Sequence, residues 1–261
     1  MRVQDIFDEK HLFIYEDELA TKARATIRDF GLRILPVIDE HKRLLGMVSR
    51  QNVMTISSSL SLIRVKGIMQ ESEYVATVEG DAFSTMKEMM KFDEWNVPVV
   101  NSLQDKTYRG VLGFENFIDA IIKTSPEKLA KPVSEIMSKK VISCSPDDEV
   151  DNVWRLMQNS SLAGCPVAKN NKIVGIITEK DLLASGETWP TFESSKGRFR
   201  DSPKISSIMT TLVTTVNPSV KAIRVAKAMV SKDIGRIPVV DEEKRLVGIV
   251  DREAIVKLIV K

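Results

Sequence analysis

Four segments of the chain run from a glycine through two apolar residues, and two of them then place polar side chains three and six positions on. The fullest is Gly175-Ile-Ile-Thr178-Glu-Lys-Asp181. A hydroxyl followed three residues later by an acid, straight after a strand-like run, marks a helix N-terminus. There the hydroxyl accepts from a free backbone N–H, and the acid reaches back to the N–H of the cap. The same end has a second chemical use. Its unpaired N–H groups and positive dipole end favour an anion such as a phosphate, to which Thr178 would donate. Stabilising a helix and holding a ligand draw on one geometry, so the cap alone leaves both readings open.

The other three segments vary the side chains. Gly46-Met-Val-Ser49-Arg-Gln-Asn52 keeps the hydroxyl and replaces the carboxylate by an amide, whose oxygen can still accept. Arg33, three residues before Pro36, could reach an anion there. Gly110-Val-Leu-Gly113-Phe-Glu-Asn116 loses the hydroxyl. Gly248-Ile-Val-Asp251-Arg-Glu-Ala254 loses the distal polar group and sets a carboxylate where a phosphate would sit, a like-charge conflict.

Catalytic chemistry finds little support. His11 and His41 are the only histidines, and neither sits at a metal-ligand spacing. The chain contains no phosphate-loop, dinucleotide-glycine or Gly-x-Ser-x-Gly pattern. Cys144 and Cys165 are too few for a disulfide framework and lack metal spacing. Asn159-Ser160-Ser161 is a common accidental sequon, and Met86, Met89 and Met90 read as core packing at helical spacing. No catalytic residue, metal ligand or resident cofactor is expected.

The elements that must position these segments form a repeat. Pro36, Pro98, Pro166 and Pro238 each stand before valine in an apolar run, and 29 residues before each lies Phe7, Met69, Met137 or Met209, always after isoleucine. Gly46, Gly110, Gly175 and Gly248 follow the prolines by 10, 12, 9 and 10 residues, an interval that a hairpin turn of variable length would give. The predicted unit is β-α-β-β-α, and the fold class is α+β. Copy four reads most plainly: Val213–Val216 as a strand, Asn217-Pro218 as N-cap and first helical residue, and a helix carrying Val220, Ile223, Ala226 and Met229. Strands follow at Ile237–Val240 and Leu246–Val250, and Asp251 caps a last helix. Each proline is expected to start its strand, where a missing N–H does least harm.

Units this small bury little surface alone, so copies one and two, and three and four, are expected to pair. The copies span residues 1–60, 63–123, 132–186 and 204–261, with a polar insert at 187–203. That insert mixes Trp189, Phe192 and Phe199 with Lys196, Arg198 and Arg200. A surface loop pinned by its own aromatics is favoured over a nucleic-acid contact.

The order Ile-Met, apolar-Pro-Val, then Gly-apolar-apolar-Thr-x-x-Asp resembles the CBS (cystathionine β-synthase) domain, over nearly the whole chain except the insert. The resemblance implies two Bateman modules stacked as a disc, within one chain or through a homodimer. It further implies a regulator that binds AMP, ADP, ATP or S-adenosylmethionine in clefts between paired domains and signals to a regulated protein. A scaffold without a small-molecule ligand is the alternative. By that resemblance, Asp181 would hold ribose hydroxyls beside Thr178. The same cleft would use Ala163, Gly164, Ile176 and Lys180 of copy three with Thr210, Thr215, Ile234 and Gly235 of copy four. A second cleft would use Ser49, Asn52 and Arg33 with Trp95 of copy two. One full site, one further candidate and two copies kept for structure are expected.

Composition sets the partners. With 38 basic and 36 acidic residues there is no overall field to attract nucleic acid or a membrane surface. No signal-like or membrane-length apolar run occurs, so a cytoplasmic location is expected.

Overall fold

The computed structural model describes residues 1–56, 61–186 and 202–261. Copy one contains β1 (Ile14–Tyr15), α1 (Ala20–Phe30), β2 (Ile34–Ile38), β3 (Leu44–Ser49) and α2 (Arg50–Met54). Copy two repeats this as β4 (Ala76–Thr77), α3 (Ala82–Lys91), β5 (Asn96–Val100), β6 (Tyr108–Gly113) and α4 (Phe114–Thr124). In copy three the first strand shrinks to one bridge, Cys144 to Val167. Then come α5 (Val150–Asn159), β7 (Gly164–Lys169), β8 (Lys172–Thr178) and α6 (Glu179–Ser185). Copy four has the bridge Val216 to Val239, then α7 (Ala222–Ser231), β9 (Arg236–Val240), β10 (Leu246–Asp251) and α8 (Arg252–Val260). The first strand runs parallel to the second, which is antiparallel to the third. The fold is the expected α+β repeat.

Three local expectations need correction. The strand expected over Val213–Val216 is reduced to the single bridge of Val216. Asn217-Pro218 does not open the helix of copy four. Its side chain instead turns the chain by accepting from the backbone and hydroxyl of Ser219, and α7 starts at Ala222. Nor do the prolines start their strands: each is the third residue. The strand tolerates this because the residue opposite the proline turns its own N–H and C=O outward. Met47, opposite Pro36, exchanges both bonds with Gln70, and Ile176, opposite Pro166, with Thr210. The proline therefore sits in a non-hydrogen-bonded pair, and no ladder bond is lost.

That outward pairing joins the copies. The segment after each Ile-Met crosses the partner copy's third strand at its glycine, where a side chain has no room. A Cβ at Gly175 would stand 2.5 Å from Met209 Sδ, one at Gly248 2.7 Å from Met137 Sδ, and one at Gly46 2.5 Å from the Gln70 carbonyl. One-turn helices that open each copy add to the exchange. Their first residues, Val3, Val65, Val133 and Ile205, are fully buried and donate to partner-copy carbonyls of Gly80, Glu18, Val220 and Asp148. Copies one and two exchange segments reciprocally, as do three and four.

Helices close the ring. Copy one packs on copy three through α1, α2 and α6, and copy two packs on copy four through α3, α4, α7 and α8. One apolar core accordingly mixes copies two and four, and a second mixes copies one and three. The link from copy two to copy three, Pro126–Leu129, plugs Leu129 fully into the first core. Trp189, Phe192, Lys196, Arg198, Phe199 and Arg200 lie outside the described residues.

Candidate functional site

In copy three β8 delivers Thr178 to the start of α6, and the expected capping box forms. The Thr178 N–H and hydroxyl both donate to Asp181 Oδ2, at 2.8 and 2.6 Å, while the Asp181 N–H donates to Thr178 Oγ1 at 3.3 Å. The other carboxylate oxygen, Oδ1, faces copy four and accepts from the exposed Thr210 hydroxyl at 3.2 Å. Thr210 is held there by its two backbone bonds with Ile176, both 2.9 Å. Gly164 lies opposite Thr178 in the hairpin, and a Cβ on it would stand 3.1 Å from Thr178 Cγ2. Ile176, Thr178, Asp181, Thr210 and Gly164 therefore form one cluster.

The remaining residues of this cleft have other engagements. The carbonyl of Ala163 accepts from Glu179 N–H, and that of Gly235 from Arg252 N–H. Gly235 also lies against Trp95, and Ile234 donates to the Met229 carbonyl at the end of α7. Thr215 is half-buried one residue before the Val216 bridge. Lys180 is exposed and leans across to copy one, where its amine abuts Gly31 at the end of α1.

Copy one builds the same box with different chemistry. The Ser49 N–H and hydroxyl both donate to Asn52 Oδ1 at 2.8 Å. A backbone N–H requires an oxygen there, so the amide oxygen is consumed by the cap. The free side of Asn52 is its NH2, a donor, and the acceptor role expected of it is already taken. Arg33 is also occupied, 3.1 Å from Asp233 and 3.6 Å from Glu115. Trp95 packs against Phe114 and carries the Arg236 guanidinium over its ring at 5.3 Å, facing copy four. Copies two and four have reduced caps: Gly113 offers only its N–H to Asn116, and Asp251 accepts from Ala254 N–H.

A polar hub joining all four copies was not anticipated. The residues that follow the four caps, Arg50, Phe114, Glu179 and Arg252, are all buried. Arg252 donates to Glu115 of copy two and to Asp233, both at 2.8 Å, and Arg33 of copy one shares those two acids. Gln51 bridges copy one to Glu179 of copy three at 2.8 Å, and Arg236 reaches the Gly164 carbonyl at 3.2 Å. Arg50 holds the carbonyls of Gly31 and Leu32. Burial, and then the neighbouring Arg33, lowers its pKa to about 10. Burial works to raise Asp233, but Arg33 and Arg252 outweigh it and hold the carboxylate below its ordinary value. These residues differ from copy to copy, so a search for recurring anchors passes over them. A search for charges at one repeat position would have found Arg50, Glu179 and Arg252.

Among the described residues no cluster of three or more histidine, cysteine or acidic side chains could hold a metal, and no helix is long and apolar enough to cross a membrane.

Known proteins resemble the chain as a whole and in part. An uncharacterised protein of Methanocaldococcus jannaschii, MJ1225, is 24% identical, with 98% of each chain covered. Its crystal structure, proposed as an archaeal homologue of γ-AMPK, superposes with a TM-score of 0.85 at 22% identity over 98% of this chain and 99% of that one. An uncharacterised conserved protein of Pyrococcus horikoshii superposes at 0.68 with 20% identity, covering 99% of this chain and all of that one. Inosine-5'-monophosphate dehydrogenase of M. jannaschii is 32% identical over 49% of this chain but only 23% of its own length. The CBS domain matches residues 3–59, 133–186 and 205–261, more than half of the chain, and omits copy two, whose cap has lost its hydroxyl. The chain belongs to the CBS domain family.

Proposed function

We propose that the chain is a non-catalytic sensor that binds an adenosine-containing small molecule in the copy-three cleft and signals its presence to a partner protein. The observation that carries this reading is the division of labour on Asp181. Its Oδ2 is spent on the helix cap, whereas Oδ1 points at copy four and meets only the exposed hydroxyl of Thr210 among the described residues. A carboxylate oxygen placed between two copies can accept from a ribose hydroxyl. A ligand held by Asp181 from one side and by copy four from the other would favour one arrangement of the two copies. It shifts that equilibrium only by its differential affinity for the arrangements.

AMP, ADP, ATP and S-adenosylmethionine share the adenosine that this geometry addresses, and thermal-shift titration with each distinguishes them. The expected result is a rise in Tm with at least one of the four, lost in Asp181→Ala. No shift at millimolar concentration with any of them removes the reading.

A scaffold that binds a protein and no small molecule is the second reading, favoured by the engagement of Arg33 and Trp95 in packing. On that reading Thr178→Ala lowers stability and alters nothing else.

A further inference from the structure

Copy three differs from its three siblings in a way that ligand binding does not use. The bridge residue of the first strand and the residue before the proline are aliphatic in three copies: Ile14 and Leu35, Ala76 and Val97, Val216 and Ile237. In copy three they are Cys144 and Cys165, the only cysteines of the chain. Cys144 pairs in parallel with Val167, and Cys165 lies two residues before Val167, so both thiols share one face of the sheet. Both sulfurs reach the same carbonyl, that of Pro166, at 3.8 and 3.6 Å.

We propose that Cys144 and Cys165 form a reversible dithiol–disulfide modification site, oxidised by a hydroperoxide. The two thiols are not equivalent. The neighbouring Cys165 and burial hold the Cys144 thiol up, whereas Cys144 beside it lowers Cys165. Burial opposes the second effect, and the Arg236 charge assists it. Arg236 donates to the carbonyl of Gly164, the residue before Cys165, at 3.2 Å and sets a positive charge beside that thiol, so Cys165 is assigned as the attacking sulfur. In the first step the Cys165 thiolate attacks one oxygen of hydrogen peroxide, the O–O bond breaks, and the departing hydroxide takes a proton to become water. Cys165 is then a sulfenic acid. In the second step the Cys144 sulfur displaces hydroxide from Cys165 sulfur, and its own proton leaves with that hydroxide as a second water. Two thiols have lost two electrons and one peroxide has become two waters.

Cys144 is 6% exposed and Cys165 is fully buried, so a peroxide reaches them only when the segment carrying Cys144 opens. Cys144 sits on an edge segment held to β7 by two backbone bonds, to the Pro166 carbonyl and from Ala168 N–H, and the residues just before it, Ile142 and Ser143, are exposed. An edge held so lightly opens locally at small cost compared with a central strand. Closing the S–S bond requires the Cβ atoms to approach to within about 3.5–4.5 Å, which draws that segment inward. The same segment carries Ser138, which bridges to Ile249 in β10, so oxidation is felt on the copy-four side of the module.

The test uses the full chain, fully reduced and then exposed to hydrogen peroxide, with thiols counted after denaturation and peptides mapped by mass. The expected result is a fall from two titratable thiols to none, a linked Cys144–Cys165 peptide lighter by two hydrogens, and full recovery with dithiothreitol. Valine, the residue that copy four places at the bridge, keeps the packing in both variants. In Cys144→Val, Cys165 stops at the sulfenic acid and is captured by a 1,3-dione. In Cys165→Val, Cys144 reacts about tenfold more slowly than Cys165 does. Two thiols that still titrate after peroxide has consumed free glutathione would overturn the proposal. So would a Cys144 that oxidises at the wild-type rate without Cys165.

Discussion

The two halves of the ring differ in the length of their helices and in the chemistry of their caps. Where copies two and four meet, α4 runs eleven residues and α8 nine, and Phe117, Ile118, Val256 and Met229 are fully buried between them. Where copies one and three meet, α2 has five residues and α6 seven. The caps follow the opposite order. Ser49 with Asn52 and Thr178 with Asp181 keep their polar pairs, whereas Gly113 and Asp251 have lost one partner each. One half therefore has the longer helices and the larger buried side chains, and the other keeps the complete polar caps. On the proposed function, the second half is the one that meets a ligand.

The largest test of that contrast lies in the cores. Phe117→Ala removes a fully buried ring that meets Phe83 edge-on at 5.1 Å, and it should cost about 3–5 kcal/mol in denaturant unfolding. Leu183→Ala in α6 should cost about 2 kcal/mol. Equal costs would erase the distinction between the halves.

The hub gives the next effect. Arg252 is 1% exposed and Arg33 24% exposed, although both serve Glu115 and Asp233. Arg252→Leu should destabilise by about 3 kcal/mol, because the two acids lose their buried partner. Arg33→Leu should cost on the order of 1 kcal/mol, as expected of a partly solvated pair. The reverse ranking would mean that the hub is organised from copy one.

A smaller effect depends on pH. Burial, and then neighbouring Glu73, pushes the Glu94 carboxyl up to about 7. Its folded value lies above its unfolded one, so its contribution is fully present at low pH and is lost as pH rises through about 7. Glu94→Gln should leave stability at pH 4 nearly unchanged. Above pH 7 it should gain on the order of 1 kcal/mol, after allowing for the solvent that reaches this half-buried group. Melting curves across this range check the sign, and a loss at high pH would show that Glu94 has an unseen cationic partner.

The smallest effect separates cap from cleft. Thr178→Ala and Asp251→Ala each remove one N-cap and should each cost about 1 kcal/mol in the absence of ligand. Only the first should also weaken a ligand, so equal behaviour in its presence would merge the two caps into one structural class.

The recurring part of this molecule was legible from its residues. Ile-Met, Pro-Val and glycine stand at near-fixed spacings because each makes the same contact in every copy: the glycines admit the partner's crossing segment, and the prolines occupy pairs that need no N–H. The fully buried residues of the opening turns, Val3, Val65, Val133 and Ile205, lie 33 residues before each proline and could have been read in the same way. The capping boxes were equally readable, since a hydroxyl and an acid three apart interact locally. What the sequence could not reveal were contacts between copies through residues that do not recur. Arg33 and Trp95 suggested a ligand by type, yet Glu115, Asp233 and Arg236 occupy them, and no spacing rule links those partners. The role of Asn52 turned on which end of its amide the cap consumes, a matter of geometry alone.

Calorimetric titration of the full chain with AMP, ADP, ATP and S-adenosylmethionine, repeated on Asp181→Ala and Asp251→Ala, tests the division between the halves most directly. The account predicts saturable binding of at least one of the four, abolished in Asp181→Ala and retained in Asp251→Ala. Binding that survives in Asp181→Ala, or that is lost in Asp251→Ala alone, would contradict it.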